Sequence, residues 1–427
     1  MSPRSRPVFF AVGALAFASA CVDDGSNSPV AKPVYPTGLA LDPAGDHLVV
    51  VSSNFDLAFD TGALLSADVG ALRGDLVGPD VVIKEPYNAD TTVPLPSFGD
   101  RPVFAPDGSA VLLVTRGDNR LHEIDFDDGA LSCVDDACGE SPGSVQLGVN
   151  DPFHVNFVTT GATDGDLRGL VTHLSAPQAE FFHLRPGSDG ADRLGLERDE
   201  INFGESVEGV RAAGVRAAGA ANDEQVFVAL QRLVEGVVDG VTLGAFAVPD
   251  VDRGDDIAVD GLDSVDVTAE TGALFARSLV VVDVDGGAAV IVALRAPDAL
   301  ARFFYSDRTG TFSLTHVSET CGEPTNLAAV DATAATGNVA RVLVTCQGGE
   351  VVQALDPATL LVSDSARFYG RNPHSVAVDA VNGFAYVSYF LDDSVGVFRL
   401  ADDAGLPRLS PVGRLGTALP LREDGRE

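Results

Sequence analysis

Residues 372–400 read NPHSVAVDAVNGFAYVSYFLDDSVGVFRL, and this stretch decides the fold. It opens on an Asn-Pro step and runs through alternating apolar residues to Asp379. It turns at Asn382-Gly383, continues as the apolar run FAYVS, turns again at Asp392-Asp393 and ends in a second alternating segment. Proline suits the first residue of a strand, where no ladder donor is needed. Asn-Gly supplies the positive φ of a tight hairpin turn. Three short strands joined by two polar turns make an antiparallel meander.

Working outward, the same order recurs along the chain. X-Pro steps open YPTGLALDPAG at 35–45, RPVFAPDG at 101–108, DPFHVNF at 151–157 and EPTNLAAVD at 323–331. Seven apolar triplets end in a small residue: VVVS at Ser52, LLVT at Thr115, GLVT at Thr172, VFVA at Ala229, VIVA at Ala293, VLVT at Thr345 and AYVS at Ser388. Their spacings of 63, 57, 57, 64, 52 and 43 residues each fit one four-stranded unit plus loops. No unit of this size buries a core alone, but seven packed radially do. The expectation is an all-β, single-domain, seven-bladed propeller over residues 34–415 with four-stranded antiparallel blades. A sandwich is the competing arrangement. Units four and five, about 206–310, lack the X-Pro step.

The unit at 372–400 resembles a repeat of the YVTN type found in surface-layer-like β-propeller lipoproteins of bacterial envelopes. PTGLALDPAGDHLVVVSSNFD at 36–56 resembles their opening blade. The resemblance covers nearly all of residues 34–415 and implies an envelope location.

The N-terminus agrees with export. Arg4 and Arg6 precede the apolar run VFFAVGALAFA at 8–18, which is too short for a spanning helix of about 20 residues and suits a signal peptide. Ala18-Ser19-Ala20-Cys21 resembles a lipobox, which implies cleavage after residue 20 and a lipid on Cys21. Ordinary secretion is the alternative. Residues 21–33 read as a flexible tether and 416–427 as a disordered tail. A net charge of −34 excludes nucleic acid as a partner and leaves membrane attachment to the lipid. Four further cysteines fall into two local pairs, Cys133 with Cys138 and Cys321 with Cys346. In an oxidising compartment both pairs close as disulfides; zinc is disfavoured because neither pair has ligand spacing.

Catalytic strings are absent: there is no GxSxG, HExxH or Walker loop, and no two histidines stand at i, i+4. Asp250, Asp252, Asp255 and Asp256 form an acidic loop that calcium could occupy, but Gly254 and Gly261 break the EF-hand order. A solvated loop is the favoured reading, and no cofactor is expected. In a propeller, starts of first strands and ends of second strands ring one mouth of the channel. Those positions are Arg101, Arg116, His154, His173, Arg232, Arg295, Asn326, Gln347 and His374. Such a ring would focus an anionic ligand, unless each arginine simply pairs with a nearby aspartate, as Arg116 could with Asp118. The function expected is a binding or scaffold module in the envelope, contacting a protein or an anionic small molecule, with loops such as 61–98 and 233–276 touching partners. The alternative is an enzyme of lactonase or lyase type.

Overall fold

The computed structural model describes residues 28–29, 32–134, 143–158, 167–185, 193–218, 223–248 and 262–417. Cys21, Cys138 and the aspartates of 250–256 lie outside the described residues. Strands run from Pro36 to Gly416 and form seven sheets, each with a four-stranded antiparallel core. The innermost strands are Pro36–Leu41, Val103–Phe104, Pro152–Val158, Val207–Ala218, Phe275–Val284, Pro324–Val330 and Pro373–Asp379. An axial cavity of about 550 Å³ is lined by residues of all seven, at 39–41, 101–104, 154–156, 213–215, 279–281, 327–329 and 376–378. The sheets close into one ring, and the fold is a seven-bladed propeller.

The apolar triplets follow from this packing. The core is split into seven clusters, one at each junction of neighbouring blades. In the second strand of blade one, His47–Ser52, Val49 and Val51 pack on blade two while Leu48 and Val50 pack on blade seven. A strand buried on both faces loses its alternation and reads as a continuous apolar run. The turns predicted at DPAG, APDG and AVNG hold Gly45, Gly108 and Gly383 at φ 78, 77 and 78°.

Unit four, which like unit five lacks the X-Pro step, forms the longest strands, with 12 residues in each of Val207–Ala218 and Asp223–Val234. Cys321 and Cys346 are disulfide-bonded across the entry of blade six, with Cα atoms 5.8 Å apart. Closing that 25-residue separation contributes about 3 kcal/mol in the chain-entropy model. Cys133 is also disulfide-bonded.

The expectation that residues 61–98 form a loop between blades needs correction, since Gly62–Asp68 and Thr92–Leu95 are the third and fourth strands of blade one. Val82–Ile83 pairs in parallel with Arg414 and Leu415 at the outer edge of blade seven. Leu76, Val81 and Ile83 join the apolar cluster between blades one and seven. Apolar residues between the third and fourth strands serve the ring itself.

Candidate ligand site at the channel mouth

The site is built by a repeated irregularity. Six innermost strands shift register near their start, between Pro36 and Gly38, Pro152 and His154, Val207 and Gly209, Ala276 and Ser278, Pro324 and Asn326, and Pro373 and Val376. A bulge takes one residue out of the ladder and re-aims its side chain. It also deprives backbone N–H groups of ladder partners, which explains the small hydroxyl residue ending several triplets. Thr345 Oγ1 accepts from Asn326 N at 3.1 Å, and Ser388 Oγ accepts from Ser375 N at 2.9 Å.

The residue before the proline is equally specific at four of these entries. Tyr35, Asp151, Glu323 and Asn372 have φ between 48 and 61°, and Phe98, before Gly99, has φ 63°. Their carbonyls accept the N–H of Ser53, Leu174, Gln347, Phe390 and Arg116, the residues just past the second strands. Five blades thus stitch their entries to their second turns, and these turns form much of the rim. Sparsely populated backbone of this kind tends to gather at functional sites.

Within the rim lies a cavity of about 360 Å³. Of the residues expected there, Arg101, Arg116, His154, Asn326, Gln347 and His374 line it. Arg116 pairs with Asp151 of blade three, not with Asp118. Arg295 stands behind the wall and donates to Gln347 Oε1 at 3.1 Å and to the carbonyls of Glu323 and Pro324. His173 and Arg232 do not line the cavity. His173 is buried, its Nε2 3.0 Å from Glu180. Arg232 pairs with Asp266 at 2.8 Å, because the long strands of blade four carry their hairpin past the rim.

Asp100, Arg277, Phe55, Phe98, Phe153 and Phe390 also line the cavity and were not expected. Arg277 occupies the bulge of blade five, where no proline marks the strand entry; the only sequence signal was the alternation of FARSLVVV at 275–282.

The electrostatics of the mouth are unusual. Desolvation pushes the Asp100 carboxyl up to about 6, against the pull of the Arg101 N–H and of Arg116, Arg277 and Arg101. Desolvation, aided by Arg101 and Arg277, brings His154 down to about 3. His374 falls to about 4 through desolvation, with Arg277 and Arg295 adding repulsion. Its Nδ1 donates to the Thr37 carbonyl at 2.9 Å, so a neutral ring leaves Nε2 as an acceptor. Burial also lowers Arg101 and Arg277. Among the described residues neither guanidinium has a hydrogen-bond or ion-pair partner.

Thr115, His122 and Asp118 mimic a nucleophile, base and acid, but both oxygens meet the same nitrogen, Nε2, so no relay runs through the ring. All of Thr115 and His122 is buried, and the group is structural. Among the described residues no three His, Cys, Asp or Glu side chains are placed to hold a metal.

These shifts predict a pH dependence. Between pH 4 and 6 the unfolded chain protonates both imidazoles and ionises Asp100, whereas the fold does the reverse. The depressed histidines make stability rise with pH in that window; the raised carboxyl makes it fall. Replacing both rings (His154→Gln, His374→Gln) should therefore lower the slope of stability against pH by about 2.7 kcal/mol per unit. Urea denaturation at pH 4.5, 5.5 and 6.5 measures it. An unchanged slope would mean that the rings protonate freely in the fold.

Together the fold and the mouth define a seven-bladed propeller with a cavity at one channel mouth that carries two arginines without ion-pair partners among the described residues. No family model and no curated protein matches the chain. Solved structures share the fold at low identity. The Pseudomonas aeruginosa periplasmic gluconolactonase PpgL is 16% identical, with a TM-score of 0.52 over 79% of this chain and 86% of that one. A Bacteroides uniformis protein assigned as a 6-phosphogluconolactonase is 18% identical, with a TM-score of 0.51 over 79% and 85%. Saccharomyces cerevisiae Sqt1 is 10% identical, with a TM-score of 0.52 over 94% of each chain. At these identities the likeness carries the fold alone.

Proposed function

We propose that this protein is an exported, lipid-anchored propeller of the surface-layer-like type that binds a small organic anion in its channel mouth. One observation carries the binding reading: Arg101 and Arg277 face the cavity unpaired in a chain with 62 acidic and 28 basic residues. Asp100 lies near both without an ion pair to either, and two guanidiniums facing a cavity so weakly compensated are costly unless a ligand completes them. The targeting pattern at 1–21 and the Cys321–Cys346 disulfide support export.

The enzyme reading has its own support. A carboxyl titrating near 6 in a cleft is suited to general acid–base work, and two of the structural neighbours are lactonases by name. Thermal shift against acetate, gluconate and phosphate tests binding. At 100 times its Kd a ligand adds about 2.7 kcal/mol, and Arg277→Gln should weaken that ligand at least tenfold. Equal stabilisation of parent and variant would refute the site. Hydrolysis of δ-gluconolactone, abolished by Asp100→Asn with gluconate binding retained, would favour the enzyme.

A further inference from the structure

The cavity has two unlike walls. The cationic side carries Arg101 and Arg277. The other is aromatic: Phe55, Phe98 and Phe390, gathered where blades seven, one and two meet, line the same cavity in mutual contact. Phe55 meets Phe98 edge-to-face at 5.8 Å and Phe390 at 5.5 Å. His374 lies nearly parallel to Phe390, 28° between planes. Phe55 is 56% exposed although it sits beside the cavity. Phe98 holds its place from a left-handed backbone, φ 63°. These rings are fixed by each other and by the rim turns, so they are in position before any ligand arrives.

We propose that the anion bound here is an amphiphile: an acid group on a flat aromatic or polycyclic body. The acid meets Arg101 and Arg277, and the body lies along Phe55, Phe390 and Phe98. This inference rests on the anion reading above and narrows it. A free phosphate would satisfy the guanidiniums and leave the phenyl wall wet. A sugar acid could set hydroxyls toward Asn326, Gln347 and Asn372, but those it turned to the phenyl rings would lose water without a partner there. A flat apolar body instead removes the exposed Phe55 ring from water and gains edge and face contacts. The carboxylate can take paired hydrogen bonds from one guanidinium. The volume, about 360 Å³, suits a single compact molecule.

Titration calorimetry on the full chain with 2-naphthoate, gluconate and inorganic phosphate tests this. We expect 2-naphthoate to bind at least tenfold more tightly than either polar anion. Phe55→Ser alters an exposed ring, so the fold is retained; it should cut naphthoate affinity at least fivefold and leave gluconate within twofold. Phe390→Leu should act in the same direction, and Arg277→Gln should weaken every anion. If gluconate or phosphate matches naphthoate, or naphthoate ignores Phe55→Ser, the amphiphile is ruled out while the anion site stands. If no anion binds parent or variant, both readings fall.

Discussion

Replacing both mouth arginines with an uncharged side chain of similar length (Arg101→Met, Arg277→Met) should stabilise the protein by about 1–4 kcal/mol while removing anion binding. The sign is opposite to that expected of a structural arginine. Arg277 is repelled by Arg295 and Arg211, and burial depresses it further; Asp100 and Glu323 return only part of that cost. Arg101 is depressed by burial, with Asp100 its one opposing charge. Methionine fills the same space without desolvating a cation. The contrast lies at Arg414, which is 1% exposed, donates to Ser394 and the Tyr369 carbonyl, and lies 5.0 Å from two tyrosine rings. There truncation leaves partners unsatisfied and should destabilise. Urea midpoints for the double variant decide the matter. A loss of 1 kcal/mol or more would make the mouth arginines part of the scaffold and remove the case for a ligand.

What the sequence displayed and what it hid divide along one physical line. Strands such as His47–Ser52 and Arg341–Cys346 announced themselves because both faces are buried, leaving apolar runs that nothing else explains. X-Pro steps marked the entries of blades one, two, three, six and seven, and ring geometry then brought Arg101, His154, Asn326 and His374 to one cavity. Hidden residues owe their position to backbone detail that no periodicity records. Arg277 reaches the channel from a bulge without a proline, and Phe98 reaches it from a left-handed residue. Phe55 and Phe390 lie in the turns after second strands, where an aromatic residue carries no pattern of its own. His173 misled because it is the residue paired with Pro152 at a blade entry, yet its ring turns inward to Glu180.

The second large effect is expected far from the mouth. Leu76→Ala should cost about 2–5 kcal/mol, although Leu76 belongs to a connecting loop. Each four-stranded blade core here is drawn from one continuous stretch of chain, so the junction of blades seven and one lacks a clasp in which one core takes strands from both ends. The loop supplies a substitute. Gly78 N donates to the Val412 carbonyl at 2.9 Å, Arg414 N to Val81 at 2.9 Å, and the Tyr369 hydroxyl to Pro79 at 3.0 Å. Leu76 is fully buried against Gly413, where any side chain would overlap it. Removing its branched end leaves a void between two sheets that are held by other strands and cannot collapse freely. The neighbouring Val77 is 71% exposed, and Val77→Ala should change stability by no more than about 0.5 kcal/mol. The junction also carries the aromatic wall, with Tyr35 and Phe55 on one side and Phe390 and His374 on the other. Loosening it should therefore weaken anion binding without touching a lining residue. Denaturation midpoints of the two variants, read beside naphthoate affinity, separate a clasp from a loop kept for a partner: equal, small effects at both positions would leave the ring closed by blade packing alone.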